Sequence, residues 1–132
     1  MIFLDTSGLV ALFDARDSNH AAALKAWAVL HASAAPLVMT ELIVVETVTL
    51  LRRRAPLDVV QRVGDRLLSG AVAEVVFTDA GLLERAWDVF GKYRDQWLSL
   101  TDCVSFALMK ERRVGRAFTF DSDFTAVGFE AV

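Results

Sequence analysis

The chain has 132 residues, of which 55% are hydrophobic and 23% charged, enough for one compact domain and too few for two. A mean hydropathy of +0.41 excludes a disordered or polyelectrolyte chain, which lacks the apolar surface that offsets chain entropy. The net charge of −3 argues against a general DNA binder, whose affinity comes from many Lys and Arg contacts to phosphate. It leaves room for an enzyme whose acids hold a cation.

At the N-terminus Ile2-Phe3-Leu4 is the first strand candidate, and it meets Asp5 with no basic region or longer apolar run. No secretory signal is therefore read there, and the chain is expected to stay in the cytoplasm. A helix is expected from His20, capped by Ser18 or Asn19. The uncharged stretch Ala26 to Thr40, interrupted by His31, Ser33 and Pro36, falls short of the roughly 18 apolar residues a membrane span needs. Leu37 to Met39 is the second strand candidate, with Thr40 placed to cap a helix beginning at Glu41. That helix carries Ile43, Val44, Val45, Thr47, Val48 and Thr49, β-branched residues that locally favour a strand. The length of the run, the cap ahead of it and Arg52-Arg53-Arg54 behind it decide for a helix.

Pro56 suits the first turn of the next helix, whose Asp58 and Arg62 stand at i,i+4, and Gly70 falls where it should stop. Glu74 to Phe77 is the third strand candidate. Thr78 is the cap expected for the helix after it, which pairs Asp88 with Lys92 at the same spacing. A last helix runs toward Gly115, and Ala117 to Phe120 is the fourth strand candidate. Strands alternating with helices imply a parallel sheet. Trp27 and Trp87 are read as core residues of amphipathic helices, and Trp97 as core or interface filling in preference to stacking on a base.

A lone Cys103 can close no internal disulfide, and His20 and His31 lack zinc-ligand spacing, so any metal must be held by oxygen. Five of the acids fall where that could happen. Asp5 follows the first strand and Asp121 and Asp123 follow the last, on the rim where parallel sheets bind ligands. Glu46 and Asp102 sit in helices apolar on most sides, where a buried carboxylate must be neutralised, paired or metal-bound. Converging acids would repel one another unless a divalent cation intervened, and all-oxygen ligation suits Mg2+ or Mn2+. Each acid alone also has a plain structural reading. Asp5 could shape a turn, Asp102 could complete a capping box with Ser99, Glu46 could pair with a distant Arg, and Asp121 with Asp123 could form an Asx turn.

Four segments in order, Ile2-Phe3-Leu4-Asp5-Thr6-Ser7, Thr40-Glu41-Leu42-Ile43-Val44-Val45-Glu46, Leu98-Ser99-Leu100-Thr101-Asp102 and Phe118-Thr119-Phe120-Asp121-Ser122-Asp123-Phe124, resemble a PIN-domain nuclease over essentially the whole chain. More narrowly, they resemble the ribonuclease toxins of VapBC-type toxin–antitoxin pairs. The resemblance implies an α/β fold, a three-layer α/β/α domain over residues 1–132 with a mostly parallel sheet of four or five strands. It carries over Asp5, Glu46, Asp102 and Asp121 as catalytic, metal-binding acids with Asp123 as a fifth, and Thr6 and Ser7 as supporting residues. It further implies Mg2+ or Mn2+ as cofactor, RNA as substrate, products with 5′-phosphate and 3′-hydroxyl ends, a protein antitoxin and a homodimer. Arg52, Arg53, Arg112, Arg113 and Arg116 are candidates for tracking an RNA backbone, against the alternative that they answer helix dipoles.

Two other functions compete. A haloacid-dehalogenase-type phosphatase would use Asp121-Ser122-Asp123 as its D-x-D motif, although that motif should open the fold. The non-enzymatic alternative keeps the fold as a binding or dimerisation module with a structural cation site.

Overall fold

The computed structural model describes residues 1–132. In chain order the elements are β1 (Ile2–Leu4), α1 (Thr6–Phe13), α2 (His20–Ser33), β2 (Leu37–Thr40), α3 (Glu41–Arg52), α4 (Leu57–Leu68), β3 (Glu74–Val76), α5 (Ala80–Lys92), α6 (Leu100–Glu111), β4 (Arg116–Phe118), α7 (Ser122–Ala126) and β5 (Glu130–Ala131). The strands form one sheet in the order β3-β2-β1-β4-β5, and every neighbouring pair is parallel. The short β5 at the edge, which propensity does not mark, completes the sheet beside β4.

Register sorts the side chains into two layers. Leu4 stands opposite Phe118, and Phe3 opposite Ala117, so alternate residues face opposite sides of the sheet. On one side Phe118 packs on Trp27 of α2 with ring centroids 5.7 Å apart, and Gly8 of α1 lies against the same ring. On the other, Phe3 meets Phe124, which meets Phe106 of α6 edge-on at 4.9 Å. Helices thus cover both faces, the three-layer arrangement implied by the resemblance. Gly8 is required by that packing, because a Cβ there would fall 2.4 Å from the Phe118 carbonyl oxygen.

The β-branched run from Glu41 does form a helix. Thr40 caps it by accepting the Ile43 N–H, and Ile43, Val44, Thr47 and Leu51 are buried, so tertiary burial overrides local preference. Several boundaries differ from expectation. The cap of α5 is Asp79, which accepts the Leu82 N–H at 2.8 Å; Thr78 instead donates to Glu41. Pro56 is the N-cap of α4 rather than its first turn, and the residue that turns left-handed after α6 is Arg113, φ 55°, not Gly115. Asp58 and Arg62 pair at 3.2 Å. Asp88 and Lys92 do not; the Lys92 ammonium sits 5.4 Å from the Tyr93 ring centroid.

β3 stops at Val76 and β4 at Phe118, earlier than read. The reason at β4 is chemical: the Thr119 hydroxyl turns toward Asp5, and the Phe120 N–H donates to Ser7 Oγ at 2.9 Å. The chain leaves the sheet at the point where it begins to build the acidic site. Two tryptophan readings divide. Trp27 is half-buried and packs against the core on Phe118, whereas Trp87 is 62% exposed and Trp97 fully exposed, so neither of these fills the core and only the interface half of the Trp97 reading is left.

A candidate metal centre at the strand ends

A cleft of about 380 Å3 opens at the carboxyl ends of β1 and β4. Asp5, Glu46, Asp102 and Asp121 all line it, together with Thr6, Ser7, Asp17, Asn19 and Ser99. No lysine or arginine is among the lining residues.

Each acid is held in a definite way. Asp5 is the N-cap of α1, and its Oδ2 accepts three hydrogen bonds: from Ser7 N–H at 3.1 Å, from Ser7 Oγ at 2.5 Å and from Thr119 Oγ1 at 2.8 Å. Only 4% of Asp5 is exposed. Burial pushes its carboxyl above the usual range, and the Ser7 and Thr119 hydroxyls pull against that shift. Thr119 in turn accepts the Asp121 N–H at 3.0 Å, so one hydroxyl fixes two of the acids relative to each other.

Asp102 completes the capping box of α6, its Oδ2 accepting the Ser99 N–H at 3.2 Å while Ser99 Oγ accepts the Asp102 N–H at 3.0 Å. Burial raises its carboxyl to about 6; the Ser99 bonds oppose the shift, and the charges of Asp5 and Asp121 add to it. Asp121 caps α7 by accepting the Asp123 N–H at 2.9 Å through Oδ1. Asp123 is raised as well, by burial first and by the Asp121 charge second. The structural and chemical readings of these residues therefore coexist. A cap occupies one carboxylate oxygen, and the other is left for the cleft.

One carboxylate oxygen from each of Asp102, Asp121 and Asp123 lies within 4.8 Å of the other two. Asp5 and Glu46 stand outside this triplet but border the same cleft. Glu46 has no arginine partner; it is half-buried and accepts a hydrogen bond from Thr6 Oγ1 at 2.9 Å. Asp102 too is only half-buried. Both helices leave their acid-bearing edge open toward the cleft, so the deep burial expected of these two carboxylates is not found.

Sequence reasoning missed Thr119, Ser99, Asp17 and Asn19 as parts of the site. A threonine ending a strand of apolar residues beside two acids was the available signal for Thr119. The loop from Asp14 to Asn19 is pinned by Arg54, whose Nη1 lies 3.0 Å from Asp14 and 3.9 Å from Asp17. Of the arginines considered for RNA, Arg112 makes a two-pronged pair with Glu74 at 3.0 Å on each arm. Arg116 lies 3.8 Å from Glu130, and Arg52 reaches the Ala55 carbonyl. Arg53 and Arg113 make no side-chain bond within the chain, and none of the five lines the cleft.

This parallel sheet, with its acids gathered past β1 and β4, is matched over residues 2–130 by the PIN domain family model. The chain belongs to the PIN-domain family. Within it, the chain is of the VapC type: it is 38% identical to the 23S rRNA-specific endonuclease VapC20 of Mycobacterium tuberculosis, covering 100% of this chain and 98% of that protein. It is 31% identical to Ribonuclease VapC26 of the same organism, over 91% and 86% of the two chains. The crystal structure of M. tuberculosis VapC20, a sarcin-ricin loop cleaving toxin, superposes with a TM-score of 0.87 at 32% identity, covering 98% of this chain and 96% of that one. The haloacid-dehalogenase alternative falls with this assignment, since Asp121 and Asp123 follow the fourth strand and not the first.

Proposed function

We propose that the chain is a divalent-cation-dependent endoribonuclease, and that it acts in the cytoplasm as the toxin of a toxin–antitoxin pair. The observation that carries this reading is that one carboxylate oxygen from each of Asp102, Asp121 and Asp123 lies within 4.8 Å of the others, beside a cleft that Asp5, Glu46, Asp102 and Asp121 line and that no lysine or arginine lines. Such a set of hard oxygen donors fits Mg2+ or Mn2+. When bound, the ion supplies Lewis-acid polarisation of the phosphodiester and a lowered pKa for a water molecule.

The chain's own residues supply position. Asp102, Asp121 and Asp123 would be the principal ligands of such an ion, and Asp5 and Glu46 would contribute further carboxylate oxygens from the cleft wall. Ser7 and Thr119 hold the Asp5 carboxylate through Oδ2, and Oδ1 takes no hydrogen bond from any of the chain's side chains, which leaves it available as a ligand. Thr6 does the same for Glu46. No histidine or lysine lines the cleft, so general acid–base work falls to carboxylates and water. Of the five arginines considered for RNA, Arg53 and Arg113 are the two free to meet its backbone. The similarity to an endonuclease specific for 23S rRNA favours a structured ribosomal RNA loop as substrate. An antitoxin would act by filling the acidic cleft, and a homodimer is the proposed assembly.

Incubation of the purified protein with ribosomal RNA in Mg2+ or Mn2+ tests the proposal. Cleavage leaving 5′-phosphate and 3′-hydroxyl ends, abolished by EDTA and restored by excess cation, is the expected result. Undiminished cleavage in EDTA, or products ending in 2′,3′-cyclic phosphate, would refute it.

A further inference from the structure

Asp14, just past the end of α1, is buried and stands outside the acidic set. Its charge is answered by a clasp with two arms: Oδ1 accepts the Arg16 N–H at 3.0 Å, and Oδ2 accepts from Arg54 Nη1 at 3.0 Å. Arg16 returns the tie, its Nη2 donating to the Arg54 carbonyl at 2.6 Å. Arg54 follows α3, the helix that carries Glu46, and α1 is the helix that starts after Asp5. The clasp therefore joins at their C-terminal ends the two helices that Thr6 and Glu46 join at the cleft. What it holds between them is the loop from Asp14 to Asn19, and the end of that loop enters the cleft, where Asp17 and Asn19 line the wall.

The other uncharged polar groups of the cleft are engaged within the chain: Thr6 Oγ1 donates to Glu46, Ser7 Oγ donates to Asp5, and Ser99 Oγ accepts the Asp102 N–H. Asn19 differs. It is exposed, it stands at the N-cap of α2 without the side-chain bond that capping residues usually make, and it carries the only side-chain amide in the cleft. That amide offers donors and an acceptor together. Beside it, Asp17 accepts the Asn19 N–H through Oδ1 at 2.8 Å, while Oδ2 lies 3.9 Å from Arg54 Nη1, too far for a hydrogen bond. An open carboxylate oxygen next to an open amide discriminates between the parts of a nucleotide. A phosphate oxygen is negative and only accepts, so Asp17 repels it. A ribose 2′-hydroxyl is neutral and both donates and accepts, so it gives its proton to Asp17 and takes one from Asn19.

We infer that Asp17 and Asn19 form a subsite for a ribose 2′-hydroxyl beside the scissile phosphate, and that Arg54 is the positioning residue that holds them at the cleft. The inference rests on the ribonuclease reading and adds to it the contact by which the site tells RNA from DNA. Hydrolysis by a water molecule makes no bond to the 2′-oxygen, so a contact there selects the substrate without entering the reaction.

Single-turnover cleavage of a ribosomal RNA fragment in Mn2+ tests the inference, the all-ribose strand being compared with strands that carry one 2′-deoxy nucleotide on either side of the cut. Wild type is expected to cut one of the deoxy strands about tenfold more slowly, the scale of one lost hydrogen bond. Asn19→Ala, a change at an exposed position, is expected to slow the all-ribose strand by a similar factor and to cut it and that deoxy strand alike, because the same contact cannot be lost twice. Arg54→Met is expected to lose part of the discrimination, through the protein concentration that gives the half-maximal rate more than through the maximal rate, and Arg54→Lys to recover part of it. A wild type indifferent to both deoxy strands, or losses from Asn19→Ala and from the deoxy substitution that multiply, would overturn the inference. So would an Asp17→Asn that weakens Mn2+ binding in calorimetry, because Asp17 would then be a cation ligand. Absence of cleavage by every protein would refute the ribonuclease reading, and fluorescence anisotropy with RNA and DNA strands of one sequence then decides the subsite: a wild-type preference for RNA that Asn19→Ala abolishes supports it, and equal binding of the two strands by wild type overturns it.

Discussion

Replacing Asp102 by asparagine separates the two jobs of this residue, because they push stability in opposite directions. As a capping acid, Asp102 accepts the Ser99 N–H, and an asparagine oxygen can still accept that bond. As a member of the acidic cluster, its carboxyl is held at about 6 by burial and then by the Asp5 and Asp121 charges. A folded-state value above the unfolded one means that the ionised form opposes folding. The penalty is full above the folded value and vanishes as pH falls toward the unfolded value near 3.8. Taken at face value the shift corresponds to about 3 kcal/mol, and water reaching a half-buried group reduces this to about 1–2 kcal/mol. In EDTA at about pH 7.5, Asp102→Asn is therefore expected to melt about 4–8 °C above wild type, a size set by the entropy of unfolding of a domain this long. At about pH 5 the gap narrows, because wild type then takes up the proton that the variant never needed. Added Mn2+ reverses the order: binding at a hundredfold excess over Kd stabilises wild type by about 2.7 kcal/mol, and the variant loses most of that gain. Differential scanning calorimetry at the two pH values, with and without Mn2+, reads all four conditions. An Asp102→Asn that melts below wild type by the same margin at both pH values, with no Mn2+ response in either protein, would refute the electrostatic reasoning and leave only the cap.

Two further substitutions test the support of the site. Thr119→Val removes the Asp5 donor and the Asp121 N–H acceptor together, so a loss of about 1–3 kcal/mol is expected in urea denaturation, with weaker Mn2+ binding by calorimetry; a neutral outcome in both would show that Thr119 positions neither acid. Gly8→Ala sets a Cβ 2.4 Å from the Phe118 carbonyl oxygen and 2.7 Å from its ring, a backbone clash expected to cost about 3 kcal/mol or more, read as a fall of the denaturation midpoint or as failure to fold.

Much of the fold was legible because its signals are local and mutually consistent. Thr40 ahead of Glu41 and the strand-like runs at Ile2 and Leu37 each marked an element that the structure contains. The acids were legible for the same reason: Asp5 and Asp121 sit immediately past strands, and Glu46 and Asp102 stand out against apolar helices. What propensity could not supply was pairing. The two-residue β5 has no pattern of its own and exists because Glu130 and Ala131 lie beside Arg116 and Ala117. Thr119 looked like one more strand residue, and only the fold brings it to Asp5, 114 positions away. Trp87 was misread as core because periodicity tells which residues share a helix face but not whether that face meets the core, and Trp87 is 62% exposed.

The central claim, that the acids past β1 and β4 form a cation-dependent cleavage centre, is tested most directly by single-turnover cleavage of a ribosomal RNA fragment at saturating Mn2+. Wild type is compared there with Asp5→Asn, Asp102→Asn and Asp121→Asn, each shown by circular dichroism to be folded. The account predicts a loss of about a hundredfold or more in each variant, the scale on which electrostatic stabilisation of a transition state operates. Cleavage by Asp102→Asn and Asp121→Asn at the wild-type rate would contradict it and place the chemistry elsewhere on the protein.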